Sequence, residues 1–222
     1  MNNINYKTWD NVFSKSNWGR YSSEDLIRFI SIYKKKLKKS SRIIEIGFGT
    51  GGNFNLFLDK GLIIEGVDFS KIAIKKTKKI FSKEIKKRKI ILFQGDISSF
   101  KLPKNRYNFL VDNCVTCCLN FTDTKQFYSS IHNSLKKGAK VYLRTFANGC
   151  WGDKTGKKLS YNTYLPLSHW AKNLGPQRFT SIKDLKIIFK KKYKIISIEK
   201  ITRTMNNQKN LIKEWVVHAE KK

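Results

Sequence analysis

The residues best suited to chemistry lie in Glu45-Ile-Gly47-Phe-Gly49-Thr-Gly51-Gly52, where a carboxylate precedes a run rich in glycine. Glycines between a strand and a helix let the backbone turn sharply and approach a ligand where a Cβ would collide. Asp68 ends the next β-rich run, where a carboxylate accepts from the hydroxyls of a ribose. Asp96, in Gln94-Gly-Asp96, closes the third run, placed to accept from an adenine amine. Turn formation at a strand end accounts for either aspartate alone. Two of them behind successive strands of one glycine-loop sheet point to a bound nucleoside.

The loop fits two cofactor classes. Gly47, Gly49 and Gly52 spell GxGxxG, the dinucleotide fingerprint. Glu45 with Gly47, Gly49 and Gly51 spells the E/D-x-G-x-G-x-G loop of S-adenosylmethionine enzymes. Asp68 serves both. Asp96 is not required by the NAD fingerprint, and the chain ends in a hairpin pattern rather than a second mononucleotide-binding half. An NAD dehydrogenase is therefore the more distant reading.

Few other residues offer chemistry. Asn113 follows the fourth strand and is a candidate to orient an acceptor, although a turn residue is equally expected there. Asp112-Asn113-Cys114-Val115 is not the Asp/Asn-Pro-Pro-aromatic tetrapeptide of amino-directed nucleic-acid methyltransferases, and no Pro-Cys pair suggests attack on a pyrimidine ring. Cys114, Cys117, Cys118 and Cys150 lack the second matched pair of a zinc site, so free thiols are expected and no metal is assigned. His132 falls in a helix and His218 in the last strand. His169, in a long loop beside Trp170, is the one histidine with a candidate catalytic place.

The elements that must hold these residues follow from periodicity. Trp9, Val12 and Phe13 make a short helical stripe, and Ser22 and Ser23 precede a helix carrying Leu26, Ile27, Phe29, Ile30 and Tyr33. Strands are expected at 42–46, 62–67, 90–93, 107–111 and 141–143. Helices alternate with them, from about 53, over 70–87, and over 123–135 with Lys136-Lys137-Gly138 as a stop. Such alternation implies a parallel sheet covered on both faces. Thr180 caps a last helix running through Phe189, and strands at 194–204 and 214–219 flank a polar link. The segment 145–179 shows little periodicity. A loop that long is usually functional, and its Trp151, Tyr161, Tyr164, Trp170 and Phe179 suit a ring-shaped or sugar-like small acceptor, or else pack the loop against the sheet.

Composition bounds the alternatives. The 222 residues suffice for one α/β domain, with 40% hydrophobic and 13% aromatic residues, too rich for disorder. The formal charge of +30 suggests a polyanion, yet only eight of the 46 basic residues are Arg, the residue that forks onto phosphates and reads bases. The lysine clusters at 34–39, 71–89 and 190–194 sit on the polar sides of amphipathic segments, and 43–59 has no Lys or Arg. No apolar run approaches the ~18 residues of a membrane span. The first eleven residues lack the apolar stretch of an export signal, and free thiols suit the cytosol, so a soluble cytoplasmic protein is expected.

Four motifs together, Ile43-Ile-Glu-Ile-Gly-Phe-Gly-Thr-Gly51, Gly66-Val-Asp-Phe-Ser70, Gln94-Gly-Asp96 and Leu135-Lys-Lys-Gly-Ala-Lys-Val-Tyr142, resemble the class I S-adenosylmethionine-dependent methyltransferases over nearly the whole chain. Trp9…Trp18-Gly-Arg-Tyr21, Trp151-Gly-Asp-Lys-Thr-Gly156, Arg203-Thr-Met-Asn-Asn207 and Glu214-Trp-Val-Val217 look like a subset of small bacterial members. The resemblance implies a Rossmann-like three-layer α/β sandwich, with a mostly parallel seven-stranded sheet and a C-terminal antiparallel hairpin. It implies a single domain: N-terminal helices lidding the cofactor over 1–40, a cofactor core over 41–144, an acceptor-side insertion over 145–180, and a final helix and hairpin over 181–222. Gly47, Gly49 and Gly51 would pass beneath the methionine portion, with Glu45 near its amino group. Asp68 would take the ribose hydroxyls, Phe69 would pack on the adenine, and Asp96 with the Ile97 backbone would hold it. Asn113 would face the sulfonium. Phe48 replaces the commoner Cys or Ser. The expected activity is methyl transfer to an O or N atom of a small molecule such as a saccharide or other metabolite. The alternatives are an RNA methyltransferase and a noncatalytic protein binding nucleic acid or a partner.

Overall fold

The computed structural model describes residues 4–16, 19–35, 41–169 and 171–222. Trp18, Trp170 and the lysines at 36, 38 and 39 lie outside the described residues.

Five β-rich runs become parallel strands: β1 (Arg42–Ile46), β2 (Ile63–Asp68), β3 (Ile90–Gln94), β4 (Tyr107–Asn113) and β5 (Leu135–Phe146). Then come β6 (Lys157–Ser160), β7 (Thr163–Leu165) and β8 (Gln177–Arg178), and an antiparallel hairpin, β9 (Tyr193–Met205) and β10 (Asn210–Lys221). Among the described residues the main sheet has seven strands, ordered β3-β2-β1-β4-β5-β10-β9. The fold is thus the expected Rossmann-like α/β sandwich. The order reverses between β1 and β4, and in open α/β sheets ligands bind at the carboxyl ends of strands at such a switch point.

Alternation along the strands divides the core. Ile44, Leu110, Val141 and Val217 face one side, where Phe127, Tyr128, Leu185 and Phe189 pack from α6 (Phe121–Ile131) and α7 (Ile182–Phe189). Ile43, Phe109, Val111, Tyr142 and Val216 face the other, against α2 (Glu24–Lys34) and α3 (Phe54–Asp59). Phe29 of α2 stacks on Phe109 and Tyr142 with centroids 5.9 and 5.4 Å apart. The remaining helices are α1 (Ile4–Lys15), α4 (Lys71–Ile80) and α5 (Ser82–Lys86). No described helix is long and apolar enough to cross a membrane.

Four expectations need correction. The helix over 70–87 breaks at Phe81, which leaves helical geometry (φ −108°, ψ 31°) and turns its ring against Phe54. The helix over 123–135 ends at Ile131 and a 3-10 turn, and 136–138 is not its stop but part of β5. There Gly138 takes φ +74°, and the pairing with β4 jumps from Tyr107↔Leu135 to Phe109↔Lys140. The final helix is capped by Ser181, not Thr180: Ser181 Oγ accepts from the Asp184 N–H at 3.2 Å, and the Asp184 carboxylate accepts from the Ser181 N–H at 2.9 Å. Last, 145–179 is not irregular, since β6, β7 and β8 form a small antiparallel sheet. Strands this short are invisible to periodicity.

Candidate active site

Gly47 and Gly49 turn the chain out of β1 with φ +58° and +56°, the left-handed region where a side chain is strained. Asp68, at the end of β2, fastens the loop from outside. One of its oxygens accepts the Gly49 N–H and the other the Ser70 N–H, both at 2.8 Å. Ser70 caps α4 and donates its hydroxyl to Asp10 of α1, so the N-terminal helix docks at the same helix start. The loop closes on α4 through Thr77 Oγ1, which donates to Gly49 O at 3.0 Å. Phe48 turns inward over Gly66 of β2, and a Cβ on Gly66 would stand 2.6 Å from the Phe48 ring. Gly66→Ala should therefore cost about 1–3 kcal/mol by overpacking. The double variant with Phe48→Ser should cost less than the sum of the two single changes, a coupling measurable by denaturant unfolding.

A cavity of about 190 Å³ opens over this loop and the end of β4. Glu45, Gly47, Gly49, Asp68, Phe69, Ile97 and Asn113 all line it. Gly51 and Asp96 are not among its lining residues. A Cβ on Gly51 would meet Phe81, Phe54 and Thr77, so this glycine serves packing of the loop onto α3 and α4. Asp96 accepts from the Ser98 N–H and hydroxyl in a strand-end turn. Trp9 and Phe13 of α1, with Tyr21, cover the cavity from the N-terminal side.

Two buried glutamates on neighbouring strands show which carboxylate is structural. Glu65 binds Arg42, Arg106 and the Tyr107 hydroxyl, all at 2.7 Å. Glu45 accepts from Asn53 Nδ2 at 2.5 Å through one oxygen, and its other oxygen is buried with no hydrogen-bond partner. Burial is the main cause that lifts the Glu45 carboxyl to about 8; the Asn53 hydrogen bond opposes it and Asp68 adds to it. Burial likewise lifts Asp68 to about 6, against the N–H groups of Ser70 and Gly49. An orphaned carboxylate oxygen beside a cavity is the complement of an ammonium group.

The other end of the cavity is built differently. Asn113, Cys114, Val115, Cys118, Phe146, Ala171, Leu174 and Gln177 line it. The turn 115–119 is held from both sides. Asp112 of β4 accepts the Val115 and Thr116 N–H groups at 3.1 Å, while Arg178 of β8 donates to Leu119 O at 3.1 Å and Thr116 O at 3.3 Å. Arg178 is 1% exposed and has no ion-pair partner among the described residues. All four cysteines are free, and Cys114 Sγ contacts Glu214 Oε1 at 3.9 Å. Among the described residues no His/Cys/Asp/Glu group could hold a metal ion.

Several acceptor-side candidates sit away from the cavity. His169 is buried against Phe146, Trp151 and Phe179, outside the lining, and burial lowers it to about 4, so it is neutral at pH 7. Among the described residues, Trp151, Tyr161, Tyr164 and Phe179 do not line the cavity either, whereas Phe146 does. Tyr164 and Phe179 pack with Cys117, Cys150 and Phe146 in a small core of their own, and Tyr161 rests on Phe121 at the surface. Asn53, Ala171, Leu174, Gln177 and Arg178 went unnoticed in the sequence. Asn53 alone carried a signal, a polar residue closing the glycine run that Glu45 opens.

Residues 18–194 match the model of a family described as a methyltransferase domain. The chain is 26% identical over 175 residues to a malonyl-[acyl-carrier protein] O-methyltransferase of Ilyobacter polytropus, across 77% of this chain and 61% of that protein's length. Among solved structures it resembles a SAM-dependent methyltransferase of Methanosarcina mazei, with TM-score 0.65 and 18% identity over 86% of this chain and 96% of that one. It also resembles the Burkholderia thailandensis 1,6-didemethyltoxoflavin-N1-methyltransferase, solved with 1,6-didemethyltoxoflavin and S-adenosylhomocysteine. That match has TM-score 0.68 and 14% identity over 97% of this chain and 88% of that one.

Proposed function

Because the chain belongs to the methyltransferase-domain family, we propose that it moves a methyl group from S-adenosylmethionine to an O or N atom of a small-molecule acceptor. The observation that carries this reading is the unpartnered Glu45 oxygen beside the glycine loop. S-adenosylmethionine supplies a methyl group on a sulfonium, open to in-line displacement by a lone pair. Glu45 takes the ammonium of its methionine portion, and Gly47 and Gly49 let the backbone pass beneath. Asp68 keeps a lone pair free beyond its contacts with the N–H groups of Gly49, Ser70 and Phe69 and accepts the ribose hydroxyls. Phe69 and Ile97 flank the adenine, with Asp96 at its far edge, and Asn113 faces the transferred methyl. Gly51 supports the loop from beneath.

In this reading residues 1–40 lid the cofactor, 41–144 hold it, 145–180 wall the acceptor, and 181–222 complete the sheet. The 1,6-didemethyltoxoflavin bound to the Burkholderia enzyme supports a small acceptor. So does the cavity wall, which contains no Lys or Arg among the described residues and thus offers RNA phosphates nothing. Four free thiols suit the cytosol.

Calorimetry with S-adenosylhomocysteine tests the assignment. The native protein should bind it, Asp68→Ala should weaken binding at least about 30-fold, and Gly49→Val should abolish it. Undiminished binding in both variants would sink the reading.

A further inference from the structure

The two ends of the cavity differ in charge. Glu45 and Asp68 stand at the glycine-loop end, whereas among the described residues no Asp, Glu, Lys, Arg or His lines the other. The ionised groups behind that end already have partners, although Arg144 Nε is buried without one of its own. Arg144 donates to Glu214 at 2.5 Å, Asp112 holds two N–H groups of the 115–119 turn, and Arg178 donates to two of its carbonyls and to Thr180 Oγ1. A charged acceptor group would lose its water there and gain no counter-charge.

What the acceptor end does offer is two carboxamides. Gln177 is 2% exposed, and its amide touches only sulfur: Cys117 Sγ donates to its oxygen at 3.8 Å, and its nitrogen donates to Cys118 Sγ at 3.9 Å. Asn113, on the strand beside the glycine loop, lines the same cavity with no hydrogen-bond partner for its side chain among the described residues. A carboxamide carries two donors and a carbonyl acceptor, and thiols satisfy these poorly. Burying such a group without a nitrogen or oxygen partner is costly. Val115, Phe146, Ala171 and Leu174 make the rest of the wall apolar. Arg178, the next residue after Gln177, is pinned in the turn, so Gln177 is held by a rigid neighbour.

Resting on the methyltransferase reading, we infer that the acceptor is an uncharged molecule with an apolar body and an amide-like edge, a carbonyl beside an N–H. Asn113 and Gln177 select it by pairing with that edge. With no imidazole or carboxylate lining this end among the described residues, the methylated atom is one whose lone pair is available without either of those bases.

The test uses protein saturated with S-adenosylhomocysteine and titrated with three ring probes of similar size: 2-pyridone, a neutral lactam; benzoate, an anion; and benzylamine, a cation. The native protein should bind 2-pyridone in preference to both ions. Gln177→Leu should weaken 2-pyridone about tenfold while leaving S-adenosylhomocysteine affinity within about twofold, which also reports that the variant is folded. Equal 2-pyridone binding in native protein and variant overturns the inference. So does no 2-pyridone binding at all, or tighter binding of benzoate or benzylamine. Failure of S-adenosylhomocysteine to bind the native protein would instead remove the underlying reading.

Discussion

Glu45→Gln should weaken S-adenosylhomocysteine binding about 100-fold at pH 7.5 and remove its pH dependence. The size is that of one charge-assisted contact to an ammonium, near 2.7 kcal/mol. In the ligand-free protein the Glu45 carboxyl titrates at about 8. Pairing with an ammonium requires the carboxylate, so binding below that pH releases a proton. Affinity of the native protein should rise almost tenfold per pH unit from pH 6 to 7.5. Stability runs the opposite way. A carboxyl raised from its usual 4.5 holds its proton in the folded state at pH values where the unfolded chain has lost it. The folded state then binds more protons, and stability falls as pH rises. The contribution is complete below about 4.5 and lost through about 8, with Asp68 acting in the same sense through about 6. The melting temperature of ligand-free protein should thus fall between pH 5 and 8, and Glu45→Gln should flatten that fall. A native affinity that does not change with pH would contradict the role given to Glu45.

Arg178→Met should lower stability by about 3 kcal/mol, a drop of roughly 6–12 °C in melting temperature for a chain of this size. The guanidinium donates to Leu119 O, Thr116 O and Thr180 Oγ1, so methionine strips the buried Leu119 carbonyl of its donor and leaves Thr116 O with only the Leu119 N–H and the Thr124 hydroxyl. Part of the loss is offset because no carboxylate pairs with Arg178, and its removal relieves a desolvated charge. Arg178→Lys should not rescue, since a single ammonium cannot span three oxygens set for a planar fork. The damage should stay on the acceptor side. S-adenosylhomocysteine affinity should change less than about threefold, while proteolysis within 147–180 accelerates. Equal melting temperatures for native protein and Arg178→Met would refute the clamp.

The two ends of the cavity differ in how far they could be read in advance. The glycine loop was legible because its demands fall on residue type: positive φ at Gly47 and Gly49, and a strand-end carboxylate at Asp68. The parallel sheet followed from alternating β-rich and helical runs. The acceptor side offered no such constraint. Gln177 and Arg178 form a two-residue strand, too short for any period, and a fully buried arginine goes against the usual distribution of that residue. Gly51 satisfies the cofactor motif in sequence, yet its space is taken by Phe54 and Phe81. The aromatics of 145–179 suit a ligand by type, but large rings are also what a satellite core needs, and Tyr164 and Phe179 went there. The +30 charge likewise leaves the cavity wall untouched.

The place of β10 between β5 and β9 has a consequence for synthesis. Strands β1 to β5 emerge from the ribosome in an order that lets each find a parallel neighbour, but β5 keeps one edge bare until residues 210–221 are made. β9 emerges earlier, yet among the described residues it pairs only with β10. The nascent chain therefore carries two unpaired edges, bearing Val141, Leu143, Ile195 and Ile198, until its seventh sheet strand arrives and closes both at once. Open edges of this kind invite pairing with other chains. The lysines that flank them, at 136, 137, 140, 190, 191, 192 and 194, put like charge on every copy, which disfavours such pairing.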